Sequence, residues 1–288
     1  IKNLPLDELM DTLISSNKVL KGSEKIVSAI SMARLVNMKM RFVSTNGSDL
    51  EQEFMYVGPG YRAIAQEGNI IQSRSYTDQC QQAGMEVFNK ESVIERCNSI
   101  CKEAVELLSA EECPTENMDL ILHSDQMLLQ IHESIGHALE VDRILGDERN
   151  YAGWSFVNLE DFGKLQYGSN IMNITFDPTI ENEFASYGYD DTGNKATKEY
   201  IIKEGKLLRG LGGLESQERS NIEGVANVRA CSWNRAPIDR MANLNLEPGN
   251  ATFNEIISSV ERGIYMQTNR SWSIDDFRNK FQFGCEYG

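Results

Sequence analysis

The chain holds three histidines, His123, His132 and His137, and two of them fall within His132-Glu133-Ser134-Ile135-Gly136-His137. Imidazole is the commonest side-chain ligand for zinc, and a carboxylate beside it can take a proton from a water that the cation acidifies toward a pKa of ~7. These residue types point to hydrolysis, with His132 and His137 as candidate metal ligands and Glu133 as candidate general base. A lone histidine on a helix is ordinarily a hydrogen-bonded core residue. A pair flanking an acid in so histidine-poor a chain is a more specific signal.

The spacing sets a geometric condition. At 100° per residue, side chains four apart on an α-helix diverge by about 40°, whereas side chains five apart diverge by about 140° and cannot share one ion. A single π-type turn, closing i to i+5, brings them back to one face. We therefore expect such a turn between Glu133 and His137, eased by Gly136, a weak helix residue. Glu140 follows His137 by three and can reach the ion, orient that imidazole, or equally be a solvated or salt-bridged glutamate.

The elements that must hold this segment are legible in outline. Met118–His123 is an apolar run typical of a strand, and Ser124 or Asp125 can cap a helix through Leu128, Ile131, Ile135 and Leu139. Upstream, Leu6, Leu9, Met10, Leu13 and Ile14 recur at helical spacing, as do Ile26, Ala29, Ile30 and Ala33, so two helices are expected to open the chain. Met38–Tyr76 reads as short strands, with a hairpin in Ala63–Ile71 and a tight bend at Gly58-Pro59-Gly60. A third helix places Val93, Ile94, Cys97, Ile100, Cys101, Ala104 and Leu108 on one face. Glu111–Asn117, with Pro114 inside it, is a polar connector. Downstream, Asn170–Phe176 and Tyr200–Leu208 read as strands, the latter a hairpin turning at Glu204-Gly205, and Thr252 with Glu255 forms a capping box. The expected fold is α+β, with an N-terminal α/β domain over 1–115 and a β-rich catalytic domain over 116–288 that carries the metal-binding helix.

Composition excludes whole classes of function. The chain has 288 residues, enough for one large or two modest domains, and 28 Lys plus Arg against 43 Asp plus Glu give a net charge of −15. Nucleic-acid backbones and anionic membranes demand clustered positive charge, so direct contact with either is not expected. No apolar run reaches the ~18–20 residues of a membrane span and the first residues lack a signal-peptide pattern, so a cytoplasmic location is expected. The first residue is Ile1, which leads us to expect a processed or partial product. The six cysteines, Cys80, Cys97, Cys101, Cys113, Cys231 and Cys285, form no C-x-x-C pair and are expected to be buried free thiols in a reducing compartment.

Leu129–Glu140 resembles the metal-binding helix of the TldD/PmbA family, in its TldD branch. Ser186-Tyr-Gly-Tyr-Asp-Asp191 with Gly193, Arg240–Gly249, and Ser271-Trp-Ser-Ile-Asp275 near Phe281-Gln-Phe-Gly284 also resemble family segments. The resemblance is firm from about Leu120 onward and looser before it. It implies a cytosolic zinc metallopeptidase acting on peptides or unfolded segments, assembled as a homodimer or as a heterodimer with a family member. By position it makes His132 and His137 the metal ligands and Glu133 the general base. PmbA-like partners lack the H-E-x-x-x-H motif, so its presence implies the catalytic branch. The family's third protein ligand is a cysteine in a Gly-rich segment after the strand that Phe281–Tyr287 resembles. The sequence ends at Gly288, before that segment, and Cys285 does not sit in the matching motif. The competing reading is a non-catalytic scaffold or partner subunit of the same fold with an incomplete metal site.

Other residues carry weaker signals. Arg229 and Arg240 can stabilise an oxyanion or hold a substrate carboxylate. Asp190-Asp191 before Gly193 reads as a turn between strands rather than a carboxylate pair. His123 is expected to end a strand and bond locally, and Cys231 with Trp233 to pack in a core. A peptidase accepting varied sequences is expected to bind substrate backbone along a sheet edge near the metal.

Overall fold

The computed structural model describes residues 5–77 and 79–288. Its first element is helix α1, Leu6–Leu20, which buries Leu9, Thr12, Ser16 and Leu20 and leaves Leu6, Met10 and Ile14 exposed. The second expected helix is instead strand β1, Ile26–Val43, paired antiparallel with β2, Asp49–Glu67, from Ile26↔Ala65 to Val43↔Asp49. The helical spacing of Ile26, Ala29, Ile30 and Ala33 misleads because it is short. From Ser31 the half-buried positions fall mostly at every second residue, through Ala33, Leu35, Met38, Met40 and Phe42. A ladder of this length outweighs one local stripe.

Gly58-Pro59-Gly60 is likewise not a bend but lies inside β2, opposite Arg34, Ala33 and Met32. On its other side β2 pairs with β3, Ile70–Tyr76, from Tyr61 onward and with the short β4, Gln81–Gln82, at Tyr56 and Val57. Pro59 occupies the interval between them, where a residue without an N–H is tolerated. The glycines serve close approach: a Cβ on Gly58 would overlap Cys80 Sγ, and one on Gly60 would lie 2.5 Å from Met32 Cγ. The hairpin expected in Ala63–Ile71 is the β2–β3 turn.

Helix α2, Lys90–Glu106, is capped by Asn89 and buries the anticipated Val93, Cys97, Ile100 and Ala104 against Leu20, Tyr61, Ala63 and Ala65, with Cys101 also buried. After residues 110–118, which form neither helix nor strand, β5, Asp119–Leu122, leads into α3, Ser124–Ile131. The N-cap of α3 is His123 rather than Ser124 or Asp125, and its Nδ1 lies 2.6 Å from Asp125 Oδ1.

Beyond α3 come helix α4, Val141–Leu145, and a four-stranded sheet in the order β11-β6-β7-β8. Its strands are β6, Ile174–Phe176, β7, Glu199–Lys203, β8, Lys206–Leu207, and β11, Leu244–Leu246. Helix α5, Leu214–Ser220, and the two-stranded ribbon β9, Val228–Arg229, with β10, Ile238–Asp239, lie between them in sequence. Helix α6, Phe253–Ser259, begins with the expected Thr252–Glu255 capping box. The last strands, β12, Gly263–Ile274, and β13, Phe281–Tyr287, form a hairpin, and β12 pairs in parallel with β5. The fold is mixed α+β.

The N-terminal sheet and helix α2 are tied to the β12–β13 hairpin by a buried polar cluster. Arg74 on β3 donates to Glu103, Thr268 and Gln267, while Glu286 accepts from the Ser75 N–H and hydroxyl. All six cysteines are free, but only Cys97 and Cys101 are buried; Cys113 and Cys231 are exposed. Trp233 is 96% exposed, in a loop over 231–237 that is exposed throughout. The core role expected for Cys231 and Trp233 is therefore wrong: neither β9 nor β10 extends into the loop, so nothing folds over them.

Candidate metal centre

Helix α3 does not continue regularly. Residues His132–Gly136 form the expected π turn, in which the His137 N–H donates to the His132 carbonyl, and a 3₁₀ turn over His137–Leu139 follows. The i to i+5 closure returns His137 to the face of His132. Their rings stand 4.5 Å apart between centroids at 85° to one another. Among the described residues, His132, Glu133 and His137 form the group whose donor atoms lie within 4.8 Å of each other.

A π turn frees carbonyls that the α-helical ladder would occupy, and side chains from far along the chain accept the task of satisfying them. Arg278 Nε and Nη2 donate to the Glu133 carbonyl at 3.2 and 2.9 Å. Tyr167 donates its hydroxyl to the Ser134 carbonyl at 2.6 Å, and Ser155 does the same for Ala138 at 2.6 Å. From below, Ile135 and Leu139 are buried among Ile174, Phe176, Ile201, Leu207 and Leu211. Burial of this kind stabilises by roughly 1.5–3 kcal/mol per large side chain, so the turn rests on a fixed base. Gly136 has φ −53°, ordinary for any residue. Its requirement is steric rather than conformational, because an added Cβ would overlap Met241 Sδ.

The electrostatics suit a cation. Burial, and then the charge of His137, push the His132 imidazole down to about 4. At neutral pH it is the uncharged ring that ligates metals. His137 Nδ1 donates to Glu140 Oε2 at 2.9 Å, which leaves Nε2 free to face an ion; Glu140 is thus an orienting group. Glu140 is only 2% exposed, its Oε1 has no hydrogen-bond partner, and the nearest cation is Arg240 Nη1 at 3.7 Å. A buried carboxylate held against one imidazole of a close pair, with a lone pair to spare, fits a positively charged occupant. Two imidazole nitrogens, with the Glu133 carboxylate close beside them to act on a bound water, suit zinc, so the residues present fit the group.

The remaining sequence candidates separate cleanly. Arg240 approaches the centre through Glu140, whereas Arg229 acts on His132 only by its charge and lines a different cavity with Asp191. Asp190 accepts from the N–H groups of Thr192 and Asn194, which is the turn expected of it. His123 and Cys285 lie outside the group, the latter within β13. Sequence reasoning missed Arg278, Tyr167, Ser155 and Met241, since no spacing rule connects residues so far apart. His132 also forms part of the wall of a cleft of about 570 Å³, bounded by Leu128, Ile131, Phe184, Met241 and Leu244.

A family model described as the PmbA/TldA metallopeptidase C-terminal domain matches residues 115–288. The chain belongs to the PmbA/TldD family. A Methanothermobacter thermautotrophicus relative named metalloprotease is 30% identical over 246 residues, which is 85% of this chain and 51% of that protein. A Methanocaldococcus jannaschii metalloprotease is 28% identical, over 98% of this chain and 60% of its own length. The chain thus spans about half to three-fifths of these PmbA/TldD relatives. Crystalline TldE from Thermococcus kodakarensis superimposes with a TM-score of 0.74 at 15% identity, over 98% of this chain and 63% of that one, a likeness of fold. Among the described residues no helix is long and apolar enough to cross a membrane.

Proposed function

We propose that this PmbA/TldD chain is the metal-bearing part of a cytoplasmic zinc-dependent peptidase, with His132 and His137 as ligands and Glu133 as general base. The observation that carries the reading is the π turn, which converts a five-residue spacing useless in an α-helix into donors within 4.8 Å of one another. In this reading residues 116–288 are the catalytic unit and 1–115 an N-terminal α/β unit. Zinc, when bound, supplies a Lewis acid that polarises the scissile carbonyl and acidifies water.

The chain's own groups do the rest. Glu133 takes the proton from the attacking water and can return it to the leaving amine. Glu140 holds His137 in the Nδ1–H tautomer, so that its Nε2 lone pair points to the ion. β11 is the edge of its sheet, and Leu244 and Asn245 within it line the cleft that His132 borders. That placement supports addition of a substrate backbone as a further strand, with Leu128, Ile131 and Phe184 covering its side chains. A homodimer, or a heterodimer with a family member, is the assembly in which we expect it to act.

Peptides methylated on alternate backbone nitrogens test the substrate geometry. Turnover lost at alternating positions is expected, and indifference to every methyl group would refute strand addition. A catalytically silent subunit of the same fold is the competing reading, and it predicts no retained zinc.

A further inference from the structure

We infer that Arg278 is a positioning residue of this centre, gripping the π turn from the tip of the β12–β13 hairpin so that Glu133 and the two imidazoles keep their mutual geometry. The purpose of the grip rests on the metallopeptidase reading; the grip itself rests on two observations. The first is the contact. Two guanidinium N–H groups converge on the Glu133 carbonyl at 3.2 and 2.9 Å, across 145 residues of sequence. In a regular helix that oxygen would accept from the His137 N–H, which here is given to His132 instead. Arg278 therefore binds at the place where the helix departs from regularity, and it stabilises the π form over the α form.

The second observation is the backbone of Arg278 itself, at φ +57°. This left-handed conformation penalises any residue with a Cβ and favours glycine or asparagine at such a turn. Strain of this kind persists where a side chain is needed. The hairpin tip is tied for the same end: Nη1 of Arg278 donates to the Asp276 carbonyl at 2.6 Å, the Arg278 N–H to Asp275, and the Asp275 N–H to Lys280. With one face of the guanidinium fixed on its own turn, the other is aimed at the neighbouring helix. A lysine presents a single point charge on a flexible stem and cannot reproduce two parallel donors.

The test compares Arg278→Gly and Arg278→Lys with wild type in the full-length protein. Glycine deletes the grip while relieving the left-handed strain, so the lost hydrogen bonds and the relieved strain oppose one another and the melting temperature is expected to move by only a few degrees. Amide hydrogen exchange in the peptide covering 132–139 should accelerate tenfold or more in Arg278→Gly, with the rest of the chain unchanged. Zinc affinity, read by chelator competition, should weaken roughly 10–100-fold, the effect usual for groups that orient ligands. Millimolar guanidinium should restore zinc affinity to the glycine variant but not to the lysine variant. Wild-type exchange in 132–139, or acceleration spread over the whole chain, would overturn the positioning role. If wild type itself retains no zinc, the metallopeptidase reading fails, and the exchange comparison still decides the grip.

Discussion

Replacing Gly136 with alanine tests whether the π turn is packed as described. The backbone at this position, φ −53° and ψ −68°, suits alanine, and in an open helix the change would stabilise by roughly 0.5–1 kcal/mol. Here the new methyl would overlap Met241 Sδ and lie 2.9 Å from Met241 Cγ, inside ordinary van der Waals distance. Overpacking of this kind costs about 1–3 kcal/mol, so the net effect runs from neutral to a loss of about 2.5 kcal/mol. For a chain of this size that lowers the melting temperature by at most roughly 6 °C. Met241→Ala removes the three atoms that an alanine methyl would meet. In that background Gly136→Ala should therefore be neutral or stabilising, giving a coupling of about 1–3 kcal/mol in a double-mutant cycle followed by urea denaturation. Equal effects of Gly136→Ala with and without Met241 would refute the packing argument.

Three further outcomes follow from the same geometry. Glu133→Gln should retain zinc while peptidase activity falls ~10²–10⁴-fold, because an amide cannot accept the proton; activity within about threefold of wild type in a peptide-cleavage assay would exclude Glu133 as base. Tyr167→Phe should lower stability by about 1–3 kcal/mol in urea titration, since it leaves the Ser134 carbonyl without its donor. Burial, and then the charge of Asp239, push the Asp142 carboxyl up to about 7. Between about pH 4 and 7 the folded apo protein holds a proton that the unfolded chain has lost, so this group's contribution falls as pH rises, by at most ~1.4 kcal/mol per pH unit. The urea stability of wild type relative to Asp142→Asn should decline from pH 5 to pH 8, and a flat difference would contradict the shift.

The sequence was most informative where one residue interval admitted a single physical solution. Histidines five apart with an intervening acid demand a π-type turn if they are to converge, and the chain forms one. The apolar face of α2 and the Thr252–Glu255 capping box are local patterns, and both are present. Reading failed where the deciding partner was distant. Ile26–Ala33 carries a helical stripe, yet the complementary strand Asp49–Glu67 makes it β. Gly58-Pro59-Gly60 has turn composition, but the side chains of Cys80 and Met32 account for its glycines. Trp233 is apolar in type, yet nothing covers its loop. Arg278 and Tyr167 reach the site across 145 and 33 residues, separations at which no periodicity carries information.

Zinc stoichiometry of the full-length protein, measured by elemental analysis after gel filtration for wild type and for His132→Ala/His137→Ala, tests the central claim most directly. The account predicts about one zinc per chain in wild type and its loss from the double variant, with unchanged circular dichroism, because structural and catalytic zinc alike depend on protein ligands for affinity. Wild type purified without zinc, or a double variant that keeps it in full, would contradict the assignment of His132 and His137 as the metal ligands.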